Sequence, residues 1–477
     1  MKKLTVITAL LATGLALQAQ NEVDALRYSQ TGFGGTARFS SMGGAFGALG
    51  ADFSSLSFNP AGIALYRKGE LTFTPTLYHA TTNSTYYGNT LADDKYNFNF
   101  NNFGLVLAAT DDGEKALWKG IAMGFGYNRL ANYHNRVYFE GVNDQSSLLD
   151  VFAANAQNQT DIEALDPFGS QLAFYTGVID TSSAGNYYTV IPNYGERQIM
   201  SLESRGSMGE ILFTLGGNYM DKLYIGGTFF FPSVRFTQSS TYIESVENDS
   251  LYGFESYSYN SDLSTSGSGY GFKFGMIYRP VDWLRIGGAV HTPAILKMSD
   301  TYSNSMTSNF SSGTYSAASP TGAFDYTLTT PMRAMASMGF IINKFAAVNV
   351  DYEFVDYSES RLNSPTYKYV NENKAIRDKY TATSNVRAGA EFRLKPLSIR
   401  AGWAYYGSPY QPGVKNDGSR SSYTFGLGFR DQIMYVDLAY VYTMGSEDYY
   451  PYDPNIVKPA VNETTSSAFM MTMGFKF

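Results

Sequence analysis

From residue 71 to the C-terminus, apolar and polar residues alternate with a period of two. That is the pattern of a strand with one face in an apolar medium and the other in a polar one. In Gln432–Thr443, Met434, Val436, Leu438, Tyr440 and Tyr442 share one face, and Asp437, Ala439 and Thr443 share the other. From Phe345 to Tyr357, Val348, Val350, Tyr352 and Phe354 oppose Asn349, Asp351 and Glu353. Asn385–Leu394 and Leu397–Tyr406 repeat the pattern, with Arg387, Glu391, Arg393 and Arg400 on the polar side. The apolar faces end in Tyr, Phe or Trp, which favour the membrane–water boundary. A water-soluble sandwich would account for the alternation but not for these aromatic ends.

The alternation predicts about fourteen strands, near 71–79, 97–109, 119–129, 207–220, 222–238, 268–280, 282–292, 331–342, 344–357, 383–395, 396–407, 420–430, 432–444 and 466–477. Short turns such as Met220–Lys222, Leu394–Pro396 and Arg430–Gln432 alternate with long polar connections at 80–96, 130–206, 239–267, 293–330, 358–382, 408–419 and 445–465. Short periplasmic turns and long extracellular loops characterise outer-membrane barrels. The fold class is therefore all-β: a transmembrane antiparallel β-barrel over residues 71–477. Its last strand puts Phe469, Met471, Met473, Phe475 and Phe477 on one face. The aromatic ending at Phe475 and Phe477 resembles the signal read by the barrel-assembly machinery.

Residues 1–19 read as a secretory signal peptide: Lys2 and Lys3, then an apolar run from Leu4 to Leu17, then Ala19 for cleavage. The run is shorter than the ~20 residues of a spanning helix. With 39 Tyr, 33 Phe and 46 Gly but no Cys, the chain has no disulfide framework. A formal charge of −7 gives no electrostatic case for nucleic-acid binding. His79, His134 and His291 are the only histidines, and their spacing establishes neither a catalytic triad nor a metal site, so no enzyme activity and no cofactor are expected.

Residues 20–70 do not alternate. Gly32, Gly34, Gly35, Gly43, Gly44, Gly47 and Gly50 crowd one stretch, which leads through Ala51 and Asp52 to Asn59–Pro60–Ala61, a chain-reversal signal. Small residues allow close packing in a confined space. Here the sequence resembles the FadL family of hydrophobic-compound transporters, whose N-terminal hatch carries an Asn-Pro-Ala motif after a small-residue, Asp-containing stretch and plugs a fourteen-stranded barrel. Asp52, Asn59, Pro60 and Ala61 match that motif. The resemblance implies a hatch over 20–70, helical in part, in a monomeric barrel of the Gram-negative outer membrane.

It also implies passive uptake of long-chain fatty acids or other hydrophobic small molecules. Ligand would be captured among extracellular loops, bind in the lumen, and leave sideways after a hatch movement through an inward kink of the third strand. On that reading Leu148, Leu149, Phe152, Phe168, Leu172 and Tyr175 in the longest loop are capture candidates. Gly120, Gly124 and Gly126 mark the lateral-opening strand, because interior glycine weakens a strand. The alternation puts Arg387 in the lumen, where it either pairs with neighbouring acids or binds a ligand carboxylate. Expected partners are a hydrophobic ligand, outer-membrane lipid and lipopolysaccharide. Alternatives are a non-transporting surface or secretion-system component, and a haem-binding receptor using Tyr or His.

Overall fold

The computed structural model describes residues 21–111, 113, 116–246, 251–343 and 345–477. The expected signal peptide, 1–19, lies outside the described residues. Fourteen strands form one antiparallel ring: β1 (Glu70–Tyr86), β2 (Asn89–Thr110), β3 (Trp118–Asn132), β4 (Glu196–Tyr219), β5 (Leu223–Ser245), β6 (Phe254–Val281), β7 (Leu284–His291), β8 (Arg333–Ile342), β9 (Ala346–Asp356), β10 (Ala382–Leu394), β11 (Leu397–Tyr406), β12 (Arg420–Arg430), β13 (Met434–Tyr449) and β14 (Ala460–Lys476). β14 returns to β1, with Lys476 opposite Glu70 and Val461 opposite Thr85. Every stretch read from the alternation is one of these strands.

The two faces differ as the pattern requires. Outward-pointing Ile121, Leu215 and Phe229 are 57, 61 and 62% exposed. A continuous belt of such residues belongs in hydrocarbon, not water. Inward-pointing Glu210, Asp351, Arg387, Arg400 and Asp437 are all 1% exposed or less, because the ring is filled.

The long connections are corrected by the structure. Much of what reads as loop is strand continuing past the apolar belt. β4, β5 and β6 are 24, 23 and 28 residues long, against the ~9–11 that cross a bilayer. β1 and β2 stay in register up to Tyr86 and Asn89, joined by a tight turn with Tyr87 and Gly88 at φ 44° and 83°. Residues 295–310 pair with β6 and carry two further strands, 313–318 and 322–329. The hydrophobic alternation stops at the membrane boundary, but the backbone ladder does not. In this tall end, helix α3 (Leu148–Ala156) and helix α4 (Ser170–Tyr175) pack with Tyr86, Phe139, Tyr242 and Met306 into a separate apolar core.

The glycine-rich segment runs down the inside of the ring. It forms α1 (Glu22–Arg27), α2 (Ala37–Ser40) and 3-10 turns at Phe53–Ser57 and Pro60–Leu65. Its backbone reaches the wall on several sides. Ala37 N donates to Thr472 on β14 at 2.7 Å, Gly43 N to Thr424 on β12 at 3.0 Å, and Phe46 N to Asp351 on β9 at 3.0 Å. Close approach demands glycine in the wall: a Cβ on Gly402 would lie 2.2 Å from the Met42 carbonyl carbon and 2.3 Å from Gly43 N. The segment begins at the tall end, where α1 packs beside a further loop helix, α5 (Val370–Lys379), and Lys379 Nζ pairs with Glu22 at 2.6 Å.

This packing gives a testable consequence. Gly402→Val is expected to push the segment off its seat while the ring persists. Limited proteolysis should cut within residues 21–66 several times faster than in the parent chain, with heat-modifiable migration of the barrel on gels retained. Equal protection in both proteins would show that β11 does not hold the segment.

Candidate functional site

Asn59, Pro60 and Ala61 turn the segment at the base of the lumen. Asn59 caps the turn that follows, its Oδ1 accepting from Ala61 N at 3.1 Å. Its Nδ2 donates to Gly47 O at 2.6 Å and to Met276 O on β6 at 3.2 Å, so one side chain ties two parts of the segment to the wall. Pro60 takes the first position of the turn, where no N–H is needed. Asp52 caps the preceding turn, accepting from Ser54 N at 3.0 Å and from Thr36 Oγ1 at 2.7 Å. Burial nevertheless raises its carboxyl above the ordinary range.

The segment also meets a charged belt. Arg38 Nε donates to Glu391 at 2.9 Å. Glu391 also receives Arg400 at 2.7 Å and Arg393 at 2.6 Å, and Arg400 reaches Asp437 at 2.6 Å. A second group joins Glu353 to Arg333 at 2.6 Å and Arg387 at 3.1 Å, with the Arg387 guanidinium 4.4 Å from the Phe58 ring centroid. Of the two roles read for Arg387, the geometry displays the pairing one: a buried cation locked between Glu353 and the segment. Buried charges persist in such a place only when paired.

Between the segment and the wall lies a cavity of about 310 Å³. Phe33 and Gly34 form its inner side, and Tyr78, Asn99, Asn101, Leu130, Tyr406, Val441 and Met470 line its outer side. Three cations border it, Arg27, Arg129 and Arg420. Arg27 pairs with Asp24 and covers Phe236, and Arg420 lies 5.2 Å from the Tyr406 ring centroid. The cavity mixes apolar surface from Phe33, Leu130, Val441 and Met470 with polar groups, the combination by which small-molecule sites bind and orient a ligand.

The cavity abuts a break in the wall. The β2–β3 ladder runs from Thr110 opposite Gly120 to Asn102 opposite Asn128 and stops there. Beyond it β2 continues with β1, while β3 continues with β4 through a bulge between Arg129 and Ala131. The freed edge of β3 is met from inside: Gly32 N donates to Leu130 O at 2.8 Å. A Cβ on Gly34 would lie 2.1 Å from Arg129 O. From the wall, Arg129 Nε donates to Phe100 O at 3.4 Å, spanning the break.

Two expectations are corrected here. The third strand does carry the irregularity, but not at its glycines. Gly120, Gly124 and Gly126 all sit in the intact ladder, and Gly124 and Gly126 lack side chains because Phe53, Leu56 and Ile63 press against them. The capture residues do not form an open groove. Leu148, Leu149, Phe152 and Leu172 are at most 5% exposed, consumed by the core of the tall end. Phe168 rests on Tyr302 with ring centroids 4.9 Å apart, and exposed Tyr175 bonds Glu163 at 2.8 Å. Sequence reasoning places Gly32 and Gly34 in the small-residue segment and ends the third strand at 129, but carries no signal that brings them to Arg129 and the break. Phe475 and Phe477 point outward at the short-turn end, and Phe477 N bonds Gly69 O at 3.1 Å.

The shape of this molecule is shared by solved structures. A FadL homologue of Pseudomonas aeruginosa superposes with a TM-score of 0.59 at 13% identity, covering 94% of this chain and 100% of that one. The toluene transporter TbuX of Ralstonia pickettii gives 0.52 at 15% identity, covering 94% and 100%, and the toluene transporter TodX of Pseudomonas putida gives 0.53 at 12%, covering 94% and 99%. No curated protein sequence matches the chain. Residues 221–477, more than half the chain, match the profile described as outer membrane protein transport protein (OMPP1/FadL/TodX). The chain belongs to this OMPP1/FadL/TodX family of outer-membrane transport proteins.

Proposed function

We propose that the barrel carries hydrophobic small molecules, long-chain fatty acids or aromatic hydrocarbons among them, passively into the outer membrane through the lumen cavity and the break between β2 and β3. The coincidence of cavity and break carries this reading: a cavity against the segment lies where the wall loses its ladder. Burying ~200 Å² of ligand surface there contributes about 5 kcal/mol, enough to draw a hydrophobe from water without any energy source beyond its gradient. The segment of residues 21–66 acts as the hatch. Withdrawal of Gly32–Gly34 from the β3 edge joins cavity to break, and the ligand leaves into lipid. Entry from outside proceeds past the tall end without using the buried faces of α3 and α4.

Three measurements test the parts separately. Deleting the gene is expected to reduce cellular uptake of radiolabelled oleate or toluene; unchanged uptake of both would sink the transport reading. Because the chain has no Cys, Asn101→Cys and Leu130→Cys can be bridged specifically across the break by a short bismaleimide. The bridge is expected to reduce uptake several-fold, and full uptake through a bridged wall would exclude lateral exit while leaving transport intact. Deleting residues 21–60 is expected to raise conductance in planar bilayers, and an equal conductance with the segment present would show that it is no plug.

A further inference from the structure

Outside the lumen, one sector of the ring carries a chemistry the transport reading does not use. On β4 and β5 the outward apolar residues end at Ile211 and Phe231, which are paired with each other. On β6 and the strand 295–310 they end at Tyr270 and Ile295, also paired. Beyond this border the outward positions are Gly209, Ser207, Ser233, Ser268 and Ser266, interspersed with three cations. Lys297 stands opposite Ser268, Arg235 opposite Ser266 and Ser207, and Arg205 opposite Thr237. Arg235 and Arg205 are diagonal neighbours on one face of adjacent strands, within reach of a shared ligand.

Arg129 on β3 stands opposite Gly209, level with the start of this row, so the cations begin at the break. Adjacent strands are ~4.8 Å apart, and the cluster spans roughly 20 Å. Among the described residues, Arg205 is the only one of the four in an ion pair, to Glu203 at 2.6 Å, an acid that Arg136 and Lys95 also share. The positive field is felt nearby: burial first, then the charges of Arg129 and Lys95, lower the His134 imidazole. Across the ring the boundary residues are instead aromatic, with Phe354, Tyr405, Tyr423 and Phe469 facing out.

We infer that this row is a binding site for the phosphate groups of outer-leaflet lipid. The position selects the class of ligand. Lys297 and Arg235 lie just past the apolar belt, where head groups sit, and with Arg205 above them they point away from the lumen. Guanidinium forks match phosphate oxygens, and cations at a membrane surface attract anionic head groups. Thr237, Ser264 and Thr301, level with Arg205, and Ser239 above them line a surface groove together with Arg205, Glu203 and Asp262, and these hydroxyls suit the sugars of a glycolipid whose phosphates are held at Arg235 and Lys297 below. Such a lipid would stand beside the break in the wall.

Native mass spectrometry of the full barrel, released from detergent after incubation with bisphosphorylated lipid A, tests the site. The parent protein is expected to retain the lipid, and the Arg205→Gln/Arg235→Gln/Lys297→Gln variant to lose roughly fivefold or more of the bound fraction. Dephosphorylated lipid A should bind both weakly, and excess inorganic phosphate should leave lipid A in place. Glu203→Gln, which removes an acid and no cation, is expected to increase retention, so the site remains testable if the triple variant fails to fold. Equal retention by parent and triple variant, equal binding of the dephosphorylated lipid, no gain with Glu203→Gln, or displacement by free phosphate, which would mark a soluble-anion site, each overturns the inference.

Discussion

A strand immersed in hydrocarbon can satisfy its backbone N–H and C=O groups only on neighbouring strands, and this constraint organises the molecule. It requires β14 to meet β1. It also makes any interruption of the ladder a feature to be explained. At the β2–β3 break, the backbone of β3 is met by Gly32 N on Leu130 O, and that of β2 by Arg129 on Phe100 O. Both substitutes are single, separable contacts, unlike the continuous ladder on either side. A wall sealed this way is closed at rest by two single contacts, and the proposed exit requires moving only one short piece of chain.

The charged belt has the same character. Glu391 receives three guanidinium groups, only one of which, Arg38, comes from the segment. Arg393 and Arg400 remain on the wall, so withdrawal of the segment leaves no buried carboxylate without a partner, the situation that costs most in a low-dielectric site. Glu353 is likewise held by Arg333 and Arg387 of the wall itself. The two glutamates keep wall partners without the filling, whereas Asp351 accepts from Phe46 N and Gly47 N of the segment, which is also tied to the wall through Gly43 N.

How much of this the sequence discloses follows from which interactions are periodic. Fourteen strands, their lumen-facing charges and the turn at Asn59–Pro60 are legible because alternation and turn chemistry are local. The tall extensions of β4, β5 and β6 are not, since Ser, Thr and Tyr on both faces leave no hydrophobic signal for a strand in water. Leu149 and Phe152 show a helical apolar face equally suited to a ligand or to a core, and only the neighbours Tyr86 and Tyr242 decide between them. Gly124 and Gly34 look alike in sequence. One yields to Phe53 and Ile63, the other to the backbone of Arg129, and that difference separates a packing position from the edge of the break.

The unequal heights of the strands have a consequence for approach from outside. β10, β11 and β12 have 13, 10 and 11 residues and end near the bilayer surface, whereas β6 with 28 rises roughly 30–40 Å above it once tilt is allowed for. The rim is thus a parapet on one flank and a threshold on the other. A molecule diffusing along the cell surface would meet a screen of hydroxyls from one direction and, from the opposite one, short strands overhung by the connection that carries α5. For uptake as proposed, the compass bearing of arrival would matter as much as the width of the mouth.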